Sequence, residues 1–356
     1  MSVRAPVGEL NFGDSRYGIG RGLAAIVPMK CDSQFLGYAL LHSRGDLGYV
    51  STGSTYDAVS ASQIGNLTIP LPDLETQKAI ADFLYRETAC IDQLIERKQR
   101  QVKLVEEALV AECQQVLTLG AGKSEPLVSD PGLEWVRSRP TNWRVLRLKY
   151  FFREITDYTE NGVETLFSLR MREGLVPHND VSDKELLPSD LVGYKRVMPG
   201  QIVMNRMRAA IGLFGLADAP GIVSPDYSIF DVLPGAHAGY FLRLFKTIPL
   251  TTAFRLLSKG LGNGHSGFMR LNADRFGEVR VAVPPYEEQI AISAVIEART
   301  SQTKNLKTKV VDSIDRLHEF RAALITAAVT GQIDVTSWGK QEQTDRGLDQ
   351  IQEALA

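Results

Sequence analysis

Basic side chains crowd into two stretches of a chain that is otherwise close to neutral. Residues 191–217 hold Lys195, Arg196, Arg206 and Arg208 with no acid. Residues 243–280 hold Arg243, Lys246, Arg255, Lys259, Arg270, Arg275 and Arg280 against Asp274 and Glu278. Asn205, Tyr227, Asn263, His265 and Ser266 are interleaved with them. Arginine and lysine attract phosphate, and amide, imidazole and phenol groups can reach base edges or phosphate oxygens. Lys195, Arg196, Arg206, Arg208 and Lys259 are therefore candidate phosphate contacts. Asn205, Asn263, His265 and Arg270, with Tyr227 beside them, are candidates near bases. A solvated surface of mixed charge would use the same residues, and composition alone does not separate the two readings.

Other chemistries fit poorly. The glycine-rich run 260–267 lacks the Lys-Ser/Thr ending of a phosphate-binding P-loop and follows a helical stretch. Glycine would instead let backbone amides approach a nucleic-acid backbone closely. Val283-Pro284-Pro285-Tyr286 has the Pro-Pro-Tyr core of DNA amino-methyltransferases, but valine stands where that chemistry needs Asp, Asn or Ser. Ser224-Pro225-Asp226-Tyr227 is broken in its own way, and no glycine motif for S-adenosylmethionine precedes either. Pro225-Asp226 lacks the following acidic-x-Lys of a nuclease, and Glu96-Arg97-Lys98 lies on a helical, charged face. The five histidines make no metal-ligand spacing, and Cys31, Cys90 and Cys113 show no CxxC pairing. No catalytic constellation, metal or cofactor is expected.

The elements that must position the basic residues are two long helices. Val283-Pro284-Pro285-Tyr286-Glu287-Glu288-Gln289 opens a run free of Gly and Pro up to Gly331, a helix start and stop. Ile296, Thr303, Val310, Leu317 and Leu324 recur every seven residues, with Ile292, Leu306 and Phe320 on the same side, which is a coiled-coil seam. At about 1.5 Å per residue such a helix is about 65 Å long and needs a partner. The partner lies 212 residues earlier: Pro72, Glu75, Gln77 and Ile80 match Pro284, Glu287, Gln289 and Ile292. Its apolar stripe is Leu84, Ile91, Leu94, Val102, Val105 and Leu109. The repeat extends upstream, pairing Ser54 with Ser266, Val59 with Leu271 and Gly65 with Gly277, and Gly37-Tyr38 resembles Gly239-Tyr240.

The chain of 356 residues, 44% hydrophobic and 23% charged, can bury ordinary cores, and its net charge of −2 confines any nucleic-acid surface to a local patch. It reads as an α/β (α+β) protein of two small mixed globules and two long antiparallel helices. The expected segments are a first globule at 1–72, a helix at 73–118, a linker at 119–142, a second globule at 143–285, a helix at 286–331 and a poorly ordered acidic tail at 332–356. The linker is broken by Gly120, Gly122, Pro126, Pro131, Gly132 and Pro140. Short strands are expected at 144–148, 201–205 and 227–232, and helices at 35–41 and within 239–258. No signal peptide or membrane-crossing run is present and the thiols are unpaired, so a cytoplasmic location is expected.

Residues 284–289, the run Glu319-Phe-Arg-Ala-Ala-Leu-Ile-Thr-Ala-Ala-Val-Thr-Gly-Gln-Ile-Asp, Glu134-Trp135, Pro140-Thr-Asn-Trp143 and Gly221-Ile-Val-Ser-Pro-Asp-Tyr227, taken in this order of globules and helices, resemble the specificity subunit of type I restriction–modification systems. The resemblance runs from about residue 10 to 335. It implies a non-catalytic reader of double-stranded DNA whose two target recognition domains read a bipartite, asymmetric site. The helices would form a spacer that also docks methyltransferase subunits, joined by the restriction (translocase) subunit. The first recognition domain departs from the pattern by lacking the counterpart of residues 143–206. That shortening implies, as an alternative, a half-specificity subunit acting as a homodimer on a palindromic site. A DNA adenine methyltransferase is the remaining alternative, disfavoured by its absent motifs. The shortened globule is also expected to expose apolar surface at 23–27 and 35–41.

Overall fold

The computed structural model describes residues 1–45, 58–120, 126–129, 138–184, 186–261 and 268–338. The loop at 51–56, Glu134, Trp135, Asn263, His265 and the tail beyond 338 lie outside the described residues. The chain divides into two compact units, Met1–Val105 with Asn305–Ala356, and Glu106–Lys304. Each unit holds one globular segment, the near part of one long helix and the far part of the other. The first long helix spans Leu74–Leu119 and the second Tyr286–Val329.

In the first unit Asp73 starts the long helix by accepting from the amides of Glu75 and Thr76, the usual way to satisfy orphan donors at a helix start. Ile80, Phe83, Leu84, Ile91 and Ile95 pack with Ile314, Leu317, Leu324, Ile325 and Val329 of the second helix in one core. Arg321 pairs with Asp92 there at 2.9 Å. In the second unit Leu117 packs with Ile292 and Ile296, and Arg299 pairs with Glu112 at 3.2 Å. Residue number rises along one helix as it falls along the other, so the two run antiparallel.

The strict seven-residue seam needs correction. Leu306 is 49% exposed and Phe320 is exposed too, while Ile296 belongs to the second unit's core. A helix of 3.6 residues per turn drifts off a seven-residue repeat, and the buried stripe moves to Ile314, Leu317, Ile325 and Ala328.

The first globule packs the helix Ser33–His42 onto this pair through Phe35 and Ala39, with Tyr38 and Leu41 beside them. The expectation of an exposed surface at 35–41 therefore fails: the side chains that made the stretch look unpartnered face the long helices. Residues 23–27 are exposed in part as expected. The start of the tail is ordered, since Val335–Trp338 forms a helical turn and Trp338 meets the Phe83 ring edge-on at 5.7 Å.

In the second unit the linker is not wholly irregular. β1 (Leu127–Ser129) and β2 (Ser138–Pro140) pair antiparallel. β3 (Arg144–Arg147) follows, then β4 (Phe152–Ile155) and the hairpin of β5 (Phe167–Arg170) with β6 (Gly174–Pro177). Next come β7 (Lys195–Val197), β8 (Ile202–Asn205), β9 (Phe214–Leu216), β10 (Gly221–Val223) and β11 (Tyr227–Val232). The main sheet has the order β4-β11-β8-β9, all antiparallel, and β10 pairs with β7. Helices Ala238–Leu244 and Ile248–Leu257 cover it with Phe241, Phe245 and Phe254, which meet Phe152, Phe214 and Phe276 in an aromatic core. β12 (Lys259–Leu261) and β13 (Phe268–Arg270) bracket the glycine-rich loop, and β14 (Arg280–Val283) pairs with β3 and leads into the second long helix. Among the described residues no helix is long and apolar enough to cross a membrane.

The internal repeat is carried by a buried glutamine. Gln77 accepts from the Asp32 amide at 2.8 Å and donates to the Pro72 carbonyl at 2.7 Å. Gln289 accepts from the His237 amide at 2.8 Å and donates to the carbonyls of Gly235 at 3.0 Å and Pro284 at 3.1 Å. Asp32 and His237 both cap the helix that follows, so Phe35 matches Tyr240. The Gly37-Tyr38 match to Gly239-Tyr240 is thus three residues out of register. Upstream, Ser2 donates to Glu9 as Asn205 donates to Leu213, and Val59 donates to Val3 as Leu271 donates to Arg206. The turns at Gly8 and Gly212 have φ of 84° and 80°, a left-handed conformation glycine adopts without penalty.

Two substitutions test these contacts. Gln289→Leu should cost about 1–3 kcal/mol by leaving the His237 amide buried without its acceptor, read by chemical denaturation. Leu317→Asp should cost several kcal/mol, whereas Leu306→Asp, at a half-exposed position, should stay within about 0.5 kcal/mol. Equal losses for the two aspartates would mean that both leucines are buried.

Candidate nucleic-acid interface

The ends of β8, β11 and β13 bring most of the candidate residues together. The organiser is Asp226, just before β11. Its carboxylate accepts from Arg270 at 2.9 Å and lies 3.6 Å from Arg206. Arg206 also donates through Nε to the Asp226 carbonyl at 2.7 Å and through Nη2 to the Pro225 carbonyl at 3.3 Å. Asn205 ends β8 and turns the chain, its Oδ1 accepting from the amides of Met207 at 3.0 Å and Arg208 at 3.1 Å. The same side chain hydrogen-bonds the Tyr227 hydroxyl. Burial pushes the Tyr227 phenol up, against the pull of that bond and of nearby Arg208 and Arg170, so the ring stays a neutral donor at physiological pH.

Two guanidinium groups around one carboxylate leave a net positive charge. Arg208 is exposed and, among the described residues, makes no ion pair. Lys259 is exposed and stands opposite Arg270 in the β12–β13 ladder, at the base of the 262–267 loop. Arg170 is exposed too, holding the Val181 carbonyl at 3.1 Å. Asn205, Arg206, Arg208, Tyr227, Lys259 and Arg270 therefore form one polar, cationic patch with planar groups on it.

Lys195 and Arg196 sit differently. Lys195 is only 5% exposed and donates through Nζ to the Tyr227 carbonyl at 2.6 Å. Burial first, and the charge of Arg206 second, push its ammonium down from the usual lysine range. It supports β11 from within. Arg196 is half-buried against Glu164 at 2.9 Å, with Asp157 at 3.7 Å. The Thr159 hydroxyl and then the Arg196 guanidinium hold the Glu164 carboxyl down at about 2. Sequence reasoning missed Asp226 as the hub, and Arg170. The available signal was a lone acid between two basic stretches, at Ser224-Pro225-Asp226-Tyr227.

The first unit repeats this backbone with other side chains. Ser2 pairs with Leu23 where Asn205 pairs with Tyr227, and Val3 occupies the place of Arg206. Among the described residues the arginine–aspartate hub has no counterpart there.

The family model described as the type I restriction modification DNA specificity domain matches residues 1–104. The protein resembles the specificity subunit of a type I restriction–modification system. A type I restriction enzyme specificity subunit of Methanocaldococcus jannaschii is 39% identical over 110 residues, 30% of this chain. The match spans only 25% of that relative's length. The HsdS subunit of Thermoanaerobacter tengcongensis shares the fold, with a TM-score of 0.50 at 18% identity over 84% of this chain and 70% of that one. A chain from a structure of type I restriction–modification complex assembly and conformational transition gives a TM-score of 0.54 at 18% identity, over 83% and 70%. The specificity-subunit likeness thus extends as fold beyond the segment where sequence identity is high.

The Glu164 cluster gives a pH test. A carboxyl held below its ordinary 4.5 adds stability that is fully present above pH 4.5 and is lost as pH falls toward 2. Glu164→Gln should lower the denaturation midpoint by a constant amount above pH 4.5. The gap from the unsubstituted chain should close between pH 4.5 and 2. A gap that persists at pH 2 would mean that the carboxylate charge is not what Arg196 and Thr159 hold.

Proposed function

We propose that this chain is the non-catalytic DNA-reading subunit of a type I restriction–modification complex, working in the cytoplasm. It reads a bipartite site in double-stranded DNA and docks methyltransferase and restriction subunits. The observation that supports this most is the double use of one architecture. Residues 1–104 match a DNA specificity domain, and the glutamine clamp, cap and turn of that segment recur in the second unit. The second copy adds the cationic patch at β8, β11 and β13.

In this reading Arg208 and Lys259 contact phosphates, Arg206 and Arg270 do so on release from Asp226, and Asn205, Tyr227, Asn263 and His265 stand near base edges. Arg196 contributes to phosphate binding only by leaving Glu164, and Lys195 contributes by bracing β11. The antiparallel helices act as a spacer, as dimer geometry sets half-site spacing in other DNA-binding proteins. A second reading is favoured by the substitution of Ser2, Val3 and Leu23 for Asn205, Arg206 and Tyr227 in the first unit. If that copy reads no bases, the chain is a half-specificity subunit, and a two-fold pair of chains selects a palindromic bipartite site.

Selection of random duplex DNA by the chain assembled with its methyltransferase partner tests the proposal. Two specified blocks separated by a fixed gap are expected; unlike blocks support two readers, and inverted identical blocks support the homodimer. Recovery of unselected DNA would overturn both. Arg208→Ala and Lys259→Ala should each weaken all sequences alike and lower the salt slope by about 0.9. Lys195→Ala should leave that slope unchanged and lower stability instead.

A further inference from the structure

The patch at the ends of β8, β11 and β13 is built mostly of donors. Arg206, Arg208, Lys259 and Arg270 can only donate. The Asn205 amide oxygen is taken by the amides of Met207 at 3.0 Å and Arg208 at 3.1 Å, and the Tyr227 hydroxyl is bonded to the same side chain. Among the described residues of the patch, the acceptor left over is Asp226. Its Oδ1 takes Arg270 at 2.9 Å and lies 3.6 Å from Arg206. Its Oδ2 accepts from no described residue, and the side chain is half-exposed.

The backbone that carries this carboxylate is fixed. The Tyr227 amide donates to the Ser224 carbonyl at 3.0 Å, and the Asp226 amide donates to Ser224 Oγ at 3.3 Å. Arg206 holds the Asp226 carbonyl through Nε at 2.7 Å, so its Nη groups can turn from the carboxylate while Nε keeps the turn in place. Once Arg206 and Arg270 turn to phosphates, the carboxylate stands against a polyanion. It is repelled there unless the duplex supplies a donor.

A duplex has few donors to supply. They are the N4 amine of cytosine and the N6 amine of adenine in the major groove, and the N2 amine of guanine in the minor groove. The minor groove is about 6 Å wide, too narrow for a patch carried on the ends of three strands. Adenine sets its N7 acceptor beside the N6 amine, which suits an amide side chain and repels a carboxylate. Cytosine presents its amine beside a C5–H, and a carboxylate can accept from it without opposition.

We propose that Asp226 is a specificity-determining residue, accepting through Oδ2 from the N4 amine of a cytosine in the major groove. This rests on the DNA-reading role proposed for the chain and adds which base one position of one block requires. The first unit has no such acceptor at the matching place. Leu23 donates to Gly20 there as Tyr227 donates to Ser224, so Gly22 stands where Asp226 stands.

Selection of random duplex DNA by the assembled complex, repeated with Asp226→Asn in the chain, tests it. Asparagine offers an acceptor and a donor and so fits the N6 and N7 of adenine. One specified cytosine, in one block, should become adenine or lose its preference, and every other position should stay. In a second measurement each specified cytosine of the selected site is replaced in turn by a pyrimidinone base, which is cytosine without its amine. At one position the unsubstituted chain should bind about tenfold more weakly. Asp226→Ala should bind the two duplexes alike. Unsubstituted protein that tolerates pyrimidinone at every position would overturn the proposal, whatever the variants do. So would an Asp226→Asn variant that binds all sequences more weakly with its preferences unchanged, which is the result if Asp226 only holds arginines. Either result with two blocks still selected leaves the DNA-reading role standing. Recovery of unselected DNA by the unsubstituted chain would overturn both.

Discussion

Each unit depends on one buried side-chain amide. Gln77 and Gln289 are almost fully buried, and each accepts from a helix-capping residue and donates to the proline carbonyl just before its own helix. A glutamine is suited to this because it offers an acceptor and two donors on one planar group. Glutamate would set a carboxylate against the proline carbonyl, and leucine would strand buried amides. The clamp fixes where the globular segment meets its long helix, so it determines which face of the capped helix turns inward. Phe35 and Tyr240, three residues past the caps, are both fully buried for that reason.

Much of this was legible in the sequence because long-range order was written in local pattern. Proline at a helix start, an unbroken run and a terminal glycine defined the helices, and the matched Gln77 and Gln289 announced the repeat. What was not legible was pairing between distant side chains. Lys195 and Arg196 look like surface cations in a stretch without acids, but Glu164 and Asp157 arrive from another loop, and Tyr227 offers a carbonyl from β11. The heptad reading failed at Leu306 and Phe320 because periodicity marks a stripe, whereas burial depends on what lies opposite. The mistaken exposure of residues 35–41 has the same origin, since the surface that covers them belongs to helices far off in sequence.

The two copies separate scaffold from chemistry. The bonds from Ser2 or Asn205 and those from Val59 or Leu271 use backbone groups that any side chain tolerates, while the turn at Gly8 or Gly212 keeps its glycine for the left-handed φ. The side chains at the ends of β8 and β11 differ between the copies. They form an arginine–aspartate hub in one unit and are Ser2, Val3 and Leu23 in the other. The side-chain bonds of Asn205 and Arg206 to nearby backbone belong to the second copy alone, so the shared backbone frame does not require them.

Asp226 shows how a cationic surface stays ordered without a ligand. Arg206 and Arg270 would repel one another and fray if unpaired, and a carboxylate between them holds both at hydrogen-bonding distance. The cost of recruiting them to phosphate is then the loss of exposed ion pairs, which contribute only about 0–1 kcal/mol each. Charge-assisted bonds to phosphate are stronger than neutral ones, so under the proposed DNA-reading role the exchange would favour the nucleic acid. Arg196 faces a higher barrier. Its partner Glu164 is three-quarters buried and also bound to Thr159, so release would leave a carboxylate with one bond fewer in a less polar setting. The same side-chain type thus takes two roles within one basic stretch, and it is the acid opposite each arginine that sets which.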